Sequence, residues 1–545
     1  MLRYVLSTVC LAILPTLAAA ASKNMTVYGR APVGAFGVDT LEHVEGAAKL
    51  GMTLIYSYSP DSARKQLDLN DPMGKAVAKH KMQVMYPLCG RFTQVRLAHE
   101  VNATDATIPV VGEKADSRMS FPKSGYLMIQ GERIEYATRT ADAFGGCRRG
   151  LGGTRAASHG ADLLLCDSEA LRKEILAVKD APGLWGYWLV DDSRPREIDS
   201  LREMSRIIRL TDRGAQGRPN SHIIVMGIGG SSAMANLDLG ICDAIGVYPY
   251  PYHFGKLDAT TRNQMRFIMT RARSLQPDIG LIGIYQAFAY DSPQWKNMPA
   301  PEQVREDLLS FYDWGADGVL GYIYHSEGKN KEPQGIDAFP AVRDMVGQLN
   351  AEIHAGKVKR TVPPVGKREW LTILAGPDAK PSPGGKPAYD LGDPAKLASL
   401  VKSRPNRLSA EPFTVDGRSY PLKVSFTAWN KADPKSDRWP IAQFAAGDLI
   451  TTDWSQVSAL EQPIYNPGEQ TIVVLISLDD AAKGWWQRSV EIPPRVPMLL
   501  RVPMDEARLS IDPSRVQRWL LWESDPPAAV EFRLGTPMLV PAGKK

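Results

Sequence analysis

The residues best suited to chemistry close an apolar run. Leu184-Trp-Gly-Tyr-Trp-Leu-Val-Asp191-Asp192-Ser-Arg-Pro195 reads as a strand ending in two adjacent carboxylates. A carboxyl pair can divide acid and base duties, one giving a proton to a leaving oxygen while the other attacks or activates water. Neighbours along a strand point to opposite faces, so Asp191 and Asp192 do not both face one substrate. The competing reading is an acidic helix cap before Arg194-Pro195-Arg196. A later run, IGLIGIYQAFAYDSPQW, carries Gln286 near its end and Asp291 just beyond, and another ends at His325 with Glu327 after it. Asp291 and Glu327 are candidates for a second carboxylate, and His325 could orient one or bind substrate. Aromatic rings gather at the same ends, among them Tyr56, Tyr58, Tyr86, Trp188, Tyr248, Tyr250 and Tyr324. About half of such rings must be lining or core, because alternate strand residues face outward. With Gln286 and His325, these seven are the substrate-binding candidates.

The elements that must position these residues alternate. Short apolar runs rich in β-branched and aromatic residues are followed by stretches of helical period, the pattern of βα units around a parallel sheet. The strand candidates are Val27 to Val38, Met52 to Ser59, Gln83 to Gly90, Leu184 to Asp191, Ile223 to Gly229, Asp243 to Tyr250, Ile279 to Ala287 and Gly318 to His325. Thr40 caps a helix from Leu41, Asp71-Pro72 opens a second, and Pro301-Glu302 opens a third that runs to Trp314 before Gly315. Eight such units predict an α/β protein, a (β/α)8 TIM barrel over 22–98 and 167–356, with its chemistry at the C-terminal ends of the strands. The alternation breaks over 99–166, where turn-rich segments such as SGYLMIQGERIEYATRT predict a small all-β insertion after strand 3. Pro, Gly and Lys dominate 357–407, which reads as a linker. Period-two segments over 408–545 predict a C-terminal β-sandwich.

Composition narrows the partners. The 545 residues are 44% hydrophobic and 23% charged with a net charge of +5, ordinary for globular protein and without a basic stripe, so nucleic acid is not expected. Residues 1–21, with Arg3, an apolar run and small residues to Ala21, read as a secretory signal peptide. No other stretch is apolar enough to span a membrane, so a secreted or periplasmic protein is expected. Four cysteines remain beyond the leader, Cys89, Cys147, Cys166 and Cys242; a Cys147–Cys166 disulfide is the first expectation and buried free thiols the alternative. The histidines include no HxH or HExxH pair, so neither a metal nor another cofactor is expected. Gly227-Ile-Gly-Gly-Ser-Ser232 reads as a tight turn rather than an anion cradle, since it lacks the phosphate-loop Lys.

Three resemblances accompany this reading. The strand ending in Asp191-Asp192 resembles that of glycoside-hydrolase-type barrels, where strand 4 ends in an Asn or Asp followed by a Glu proton donor. That resemblance implies hydrolysis of a poly- or oligosaccharide, with Asp192 at the donor position, one methylene shorter than Glu. It also implies a nucleophilic Glu on strand 7, where this chain has Gln286. If the barrel has lost hydrolysis, it implies instead a glycan-binding or surface-assembly protein that keeps the aromatic cleft. The pieces ATDATIPV, FPKSGYLMIQGERIEY and CRRGLGGTRAASHGAD resemble a small β module of bacterial and phage surface proteins, in which Arg149, Gly150, Gly153, Thr154 and His159 would hold a tight loop. The stretches DWSQVSALEQPIYNPGEQTIVVLISLDD, WWQRSVEIPPRVPMLLRVPM and VEFRLGTPMLV resemble a galactose-binding-like jelly roll. Its usual final Asp-Asn pair is replaced by Phe532 and Arg533.

Overall fold

A computed structural model of the chain describes residues 25–542 apart from 90, 94, 113–120, 130–131, 162, 192–196, 213–221, 231–239, 291, 329–331, 333, 362–373, 376–378, 405–406, 431–432, 434, 470–471, 509, 524–525 and 527–528. Eight parallel strands close a barrel: β1 (Val33–Phe36), β2 (Leu54–Tyr56), β3 (Gln83–Pro87), β4 (Leu184–Asp191), β5 (Ile223–Ile228), β6 (Ala244–Val247), β7 (Gly280–Gln286) and β8 (Gly318–Tyr322). Each pairs with its sequence neighbours, and β1 meets β8 in register at Val33 and Val319 to close the ring. The expected strands overran the pairing at their ends, where Pro, Gly and polar residues turn the chain into loops. Strand β4 runs from Leu184 to Asp191 as its composition predicted.

The helices lie where cap residues start them. Helix α1 (Leu41–Lys49) begins at Thr40, whose side chain accepts from His43 N. Helices α2 (Pro60–Leu67) and α3 (Pro72–Lys79) begin at Ser59 and Asp71, each with Pro in the first turn. Helices α4 (Ser168–Val178), α5 (Ile198–Thr211), α6 (Ala259–Leu275), α7 (Pro301–Asp313) and α8 (Pro340–His354) follow. Gly315, at φ +90°, turns the chain from α7 into β8, a conformation few other residues adopt. None of the described helices is long and apolar enough to cross a membrane.

Between β3 and α4 stand a five-stranded sheet and a hairpin (Gly125–Ile129 with Glu132–Tyr136), sharing a core built on Ile108, Leu127, Ile134, Tyr136 and Phe144. The RGxxGT motif surrounds one buried carboxylate. Glu132 accepts from Arg149 Nε and Nη2 (both 2.8 Å), His159 Nε2 (2.7 Å), Gly150 N (2.9 Å) and Ala157 N (3.1 Å). Beyond the barrel, a four-stranded antiparallel sheet packs on a larger one, and Trp519 Nε1 in the first donates to Gln462 Oε1 in the second at 2.7 Å. Phe532 is buried there, and Arg533 pairs outward with Glu411 and Glu531 at 3.1 Å. Helix α6 touches this unit: Arg271 lies 3.4 Å from Glu506, which also accepts from Arg488 Nε at 3.1 Å.

Two expectations need correction. The stretch read as a linker is built into the sandwich. Leu374–Ala375 and Lys386–Pro387 pair with sandwich strands, and the helix Pro394–Ser403 buries Leu397 and Leu400. Its Pro and Gly content hid an amphipathic helix of only ten residues. The expected Cys147–Cys166 disulfide is absent, because Cys89, Cys147, Cys166 and Cys242 are all free thiols.

Candidate active site

At the C-terminal mouth, the inward residues are almost all aromatic, and β4 sets their arrangement. Trp188 lies buried across the barrel against β5 and β6, where glycines make room for it. A Cβ at Gly227 would come within 2.6 Å of Trp188 Cζ2 and 3.0 Å of Asp191 Oδ1, and one at Gly246 within 2.7 Å of Trp188 Cη2. The indole Nε1 donates to Asp191 Oδ1 at 2.7 Å, and Cys89 Sγ lies 3.8 Å from Oδ2. Asp191 is therefore the carboxylate that strand 4 turns toward the mouth. Asp192, the other half of the pair, lies outside the described residues, as does Asp291.

Around Asp191 stand two groups of rings. Phe36, Tyr56 and Trp188 pack together, with Phe36 4.7 Å from Tyr56 and 5.3 Å from Trp188 between centroids. Tyr58 sits edge-on to Tyr56 at 4.9 Å and is 43% exposed, the part of this group that solvent reaches. On the other side Tyr250 stacks on Tyr322 at 5.4 Å, Tyr248 lies 5.8 Å from Tyr250, and Tyr290 Oη donates to Tyr322 Oη at 2.7 Å. Burial, and next the nearby phenol of Tyr322, push Tyr290 well above the ordinary phenol range. Burial raises Tyr56 likewise, followed by Asp191, Cys89 and Asp39. These phenols stay protonated at neutral pH and can donate as well as accept. Burial first and Asp191 second push the Cys89 thiol up to about 12, so it is no thiolate nucleophile.

Asp39, just beyond β1, is a carboxylate that the sequence reading missed. It accepts from Ser57 Oγ and acts on Tyr56 from the side opposite the strand-4 acid in the barrel order. Its signal was present, an acidic residue directly after the apolar VGAFGV, but it was absorbed into the capping reading of Thr40. Glu197, five residues after Asp192 in the sequence, also acts on Cys89.

Several expected binding residues turn away. Tyr86 is buried between β3 and the helices, its hydroxyl bonded to Glu174 beside Arg64 and Arg91. Tyr324 is buried against α1, its hydroxyl 2.0 Å from where a Cβ on Gly46 would lie. Gln286 is fully buried, its Oε1 accepting from Tyr252 N at 2.9 Å and its Nε2 donating to Tyr252 O at 3.1 Å. Its amide clamps the rim loop, while its backbone N–H donates to Asp307 Oδ2 at 2.9 Å. Glu327 is exposed on the loop after β8. His325 lies at the rim, its Nδ1 2.7 Å from Asp337 Oδ2. A separate concavity lined by Tyr28, Arg30, Ala78 and Lys81 lies at the opposite end of the barrel and carries no carboxylate.

No known protein family and no curated protein matches the sequence. Among solved structures, a family 11 carbohydrate-binding module from Clostridium thermocellum in complex with a β-1,3-1,4-mixed-linked tetrasaccharide is 11% identical, with a TM-score of 0.21, over 26% of this chain and 85% of that one. A pyruvate kinase from Cryptosporidium parvum is 14% identical, with a TM-score of 0.31, over 59% of this chain and 69% of that one. A polyextremophilic β-galactosidase from the Antarctic haloarchaeon Halorubrum lacusprofundi is 11% identical, with a TM-score of 0.36, over 59% of this chain and 58% of that one. Likenesses this distant define no family for the chain.

Proposed function

We propose that this chain is an exported carbohydrate-active protein whose barrel mouth takes a poly- or oligosaccharide and hydrolyses a glycosidic bond. The observation that carries the reading is Asp191, fixed by the Trp188 indole inside a mouth ringed by protonated phenols. Rings of this kind stack on the C–H faces of a sugar while their hydroxyls bond its hydroxyls. In the proposed reaction one carboxyl protonates the glycosidic oxygen as the bond to the anomeric carbon breaks. Water adds to that carbon, and its proton passes to the second carboxylate. Asp191 fills one role, with Asp39 in the other. Gln286 offers no nucleophile, so direct water attack with inversion is the form that this chain supports. Export rests on the leader-like residues 1–21.

A second reading has specific support. With Gln286 spent on a clamp, the mouth suits a glycan-binding protein that does not hydrolyse. The sandwich adds an exposed Trp439 beside Trp429, with the Arg438 guanidinium 4.9 and 5.4 Å from the two ring centroids.

The test is a polysaccharide panel scored together for reducing-end release and for binding, with the unaltered protein, Asp191→Asn, Asp192→Asn and Asp39→Asn. Hydrolysis predicts release from at least one glycan that falls about 10²- to 10⁴-fold in Asp191→Asn with binding retained. Binding without release in every protein supports the second reading. Neither release nor binding on any glycan overturns both.

A further inference from the structure

We propose that His43, His325 and Asp337 form a site for a divalent transition-metal ion of the Zn²⁺ type at the rim of the barrel mouth. One nitrogen from each histidine and one carboxylate oxygen lie within 4.8 Å of one another. The imidazoles face each other with centroids 4.3 Å apart. Two imidazoles and a carboxylate are a donor set that suits Zn²⁺, Ni²⁺ or Cu²⁺ rather than Mg²⁺ or Ca²⁺. Zn²⁺ bonds nitrogen at about 2.0–2.1 Å, which sets tetrahedral donors roughly 3.3 Å apart, so closing on an ion takes shifts of about an ångström, within reach of side-chain rotation. Three protein donors leave a coordination position for water or a ligand.

The frame around these donors is fixed. His43 sits in the first turn of α1, its backbone N–H donating to the Thr40 cap at 3.2 Å. Its Nδ1 accepts from Asp39 N at 3.3 Å, a long bond that an ion can replace. His325 follows β8, and the segment carrying Asp337 is laced to it by Gln334 N to Ser326 O (2.9 Å) and Asp337 N to Tyr324 O (3.1 Å). Gly335 permits that approach, since a Cβ there would lie 2.3 Å from Tyr324 O. A second observation points to a ligand: Asp337 Oδ1 is buried without a hydrogen-bond partner among the described residues, while Oδ2 is bonded to His325. A buried carboxylate oxygen left unmet beside two imidazoles is a donor that a bound cation would satisfy. With residues 43, 325 and 337 so far apart in sequence, no spacing motif could announce the set.

The site does not rest on the carbohydrate reading, and its test uses no sugar. Untagged full-length protein, stripped with chelator and dialysed, is titrated with Zn²⁺ by calorimetry, with Mg²⁺ as the control. One Zn²⁺ per chain is expected, with no Mg²⁺ uptake and a Tm raised by the ion. His43→Ala with His325→Ala should weaken that site at least about tenfold. Should the double variant fail to fold by circular dichroism, Asp337→Asn and His325→Gln replace it, each with the same expected weakening. Absence of Zn²⁺ binding, or binding of equal strength in the folded variants, overturns the proposal.

Discussion

Glu132 in the insertion and Asp307 behind the barrel mouth are both fully buried carboxylates, and the chain treats them in opposite ways. Burial alone would raise Glu132, but the hydrogen bonds from Arg149, His159, Ala157 N and Gly150 N outweigh it and hold the acid down at about 2. Asp307 accepts from Gln286 N, its Oδ1 has no partner among the described residues, and burial pushes it up to about 7. The motif residues Arg149, Gly150 and His159 thus converge on one carboxylate hub. The barrel keeps an under-bonded acid directly behind the loop that Gln286 clamps to the mouth. The contrast between the two acids is thus one of donors: both oxygens of Glu132 are met, while Asp307 keeps one oxygen without a partner among the described residues.

Glu132→Gln should cost the most stability of any single change in this pair of acids. The change leaves the Arg149 guanidinium, 7% exposed, without its charge partner, so the insertion should lose about 3–5 kcal/mol. Urea unfolding, with proteolysis reporting on the 95–165 segment, measures it. The pH dependence has a definite sign. Because the folded value of Glu132 lies below the ordinary 4.5, its stabilisation is complete above about 4.5 and is lost as pH falls through about 2.

Asp307 runs the other way. Its folded value lies above the ordinary 3.8, so its contribution is most favourable below that pH and is lost as pH rises through about 7. Asp307→Asn keeps an oxygen to accept from Gln286 N and carries no charge. The variant should lack the decline in stability between pH 4 and 7 and gain on the order of 4 kcal/mol over the unaltered protein at pH 8. Thermal unfolding across that range is the measurement, and parallel curves for the two proteins would refute the contrast.

Much of the fold was legible because barrel strands announce themselves. Strand β4 is continuous in aromatic and aliphatic residues up to Asp191, whose carboxylate meets the Trp188 indole at the mouth. The faces were harder to read. Tyr86 and Tyr324 share the composition of the mouth residues, yet Tyr86 lies one step along a strand from the inward Met85, which reverses the face, and Tyr324 lies beyond the end of β8, where strand alternation no longer assigns a face. Gln286 was legible as a departure from a nucleophile but not as a clamp, since its partners are backbone atoms of a loop 34 residues earlier. The helix at 394–403 went unread because the Pro and Gly around it outweighed ten residues of period 3.6. Asp39 and His43 went unread because Thr40 between them made a sufficient capping explanation.

The smallest expected effect tests whether the mouth itself is as tightly built as the insertion. Gly227→Ala places a methyl 2.6 Å from Trp188 and 3.0 Å from Asp191 Oδ1, where the nearest atom belongs to an indole ring that cannot fold aside as a flexible chain would. Overpacking of this kind costs about 1–3 kcal/mol. The same methyl should tilt the indole that donates to Asp191, so saccharide binding and any glycan release should fall while the insertion's resistance to protease is unchanged. Gly255→Ala, where a Cβ has open space but φ is +72°, is the control for backbone strain without a clash. If Gly227→Ala unfolds no more easily than the unaltered protein and handles glycan equally well, Trp188 has room to move, and the mouth is not the fixed constellation that acid chemistry at Asp191 requires.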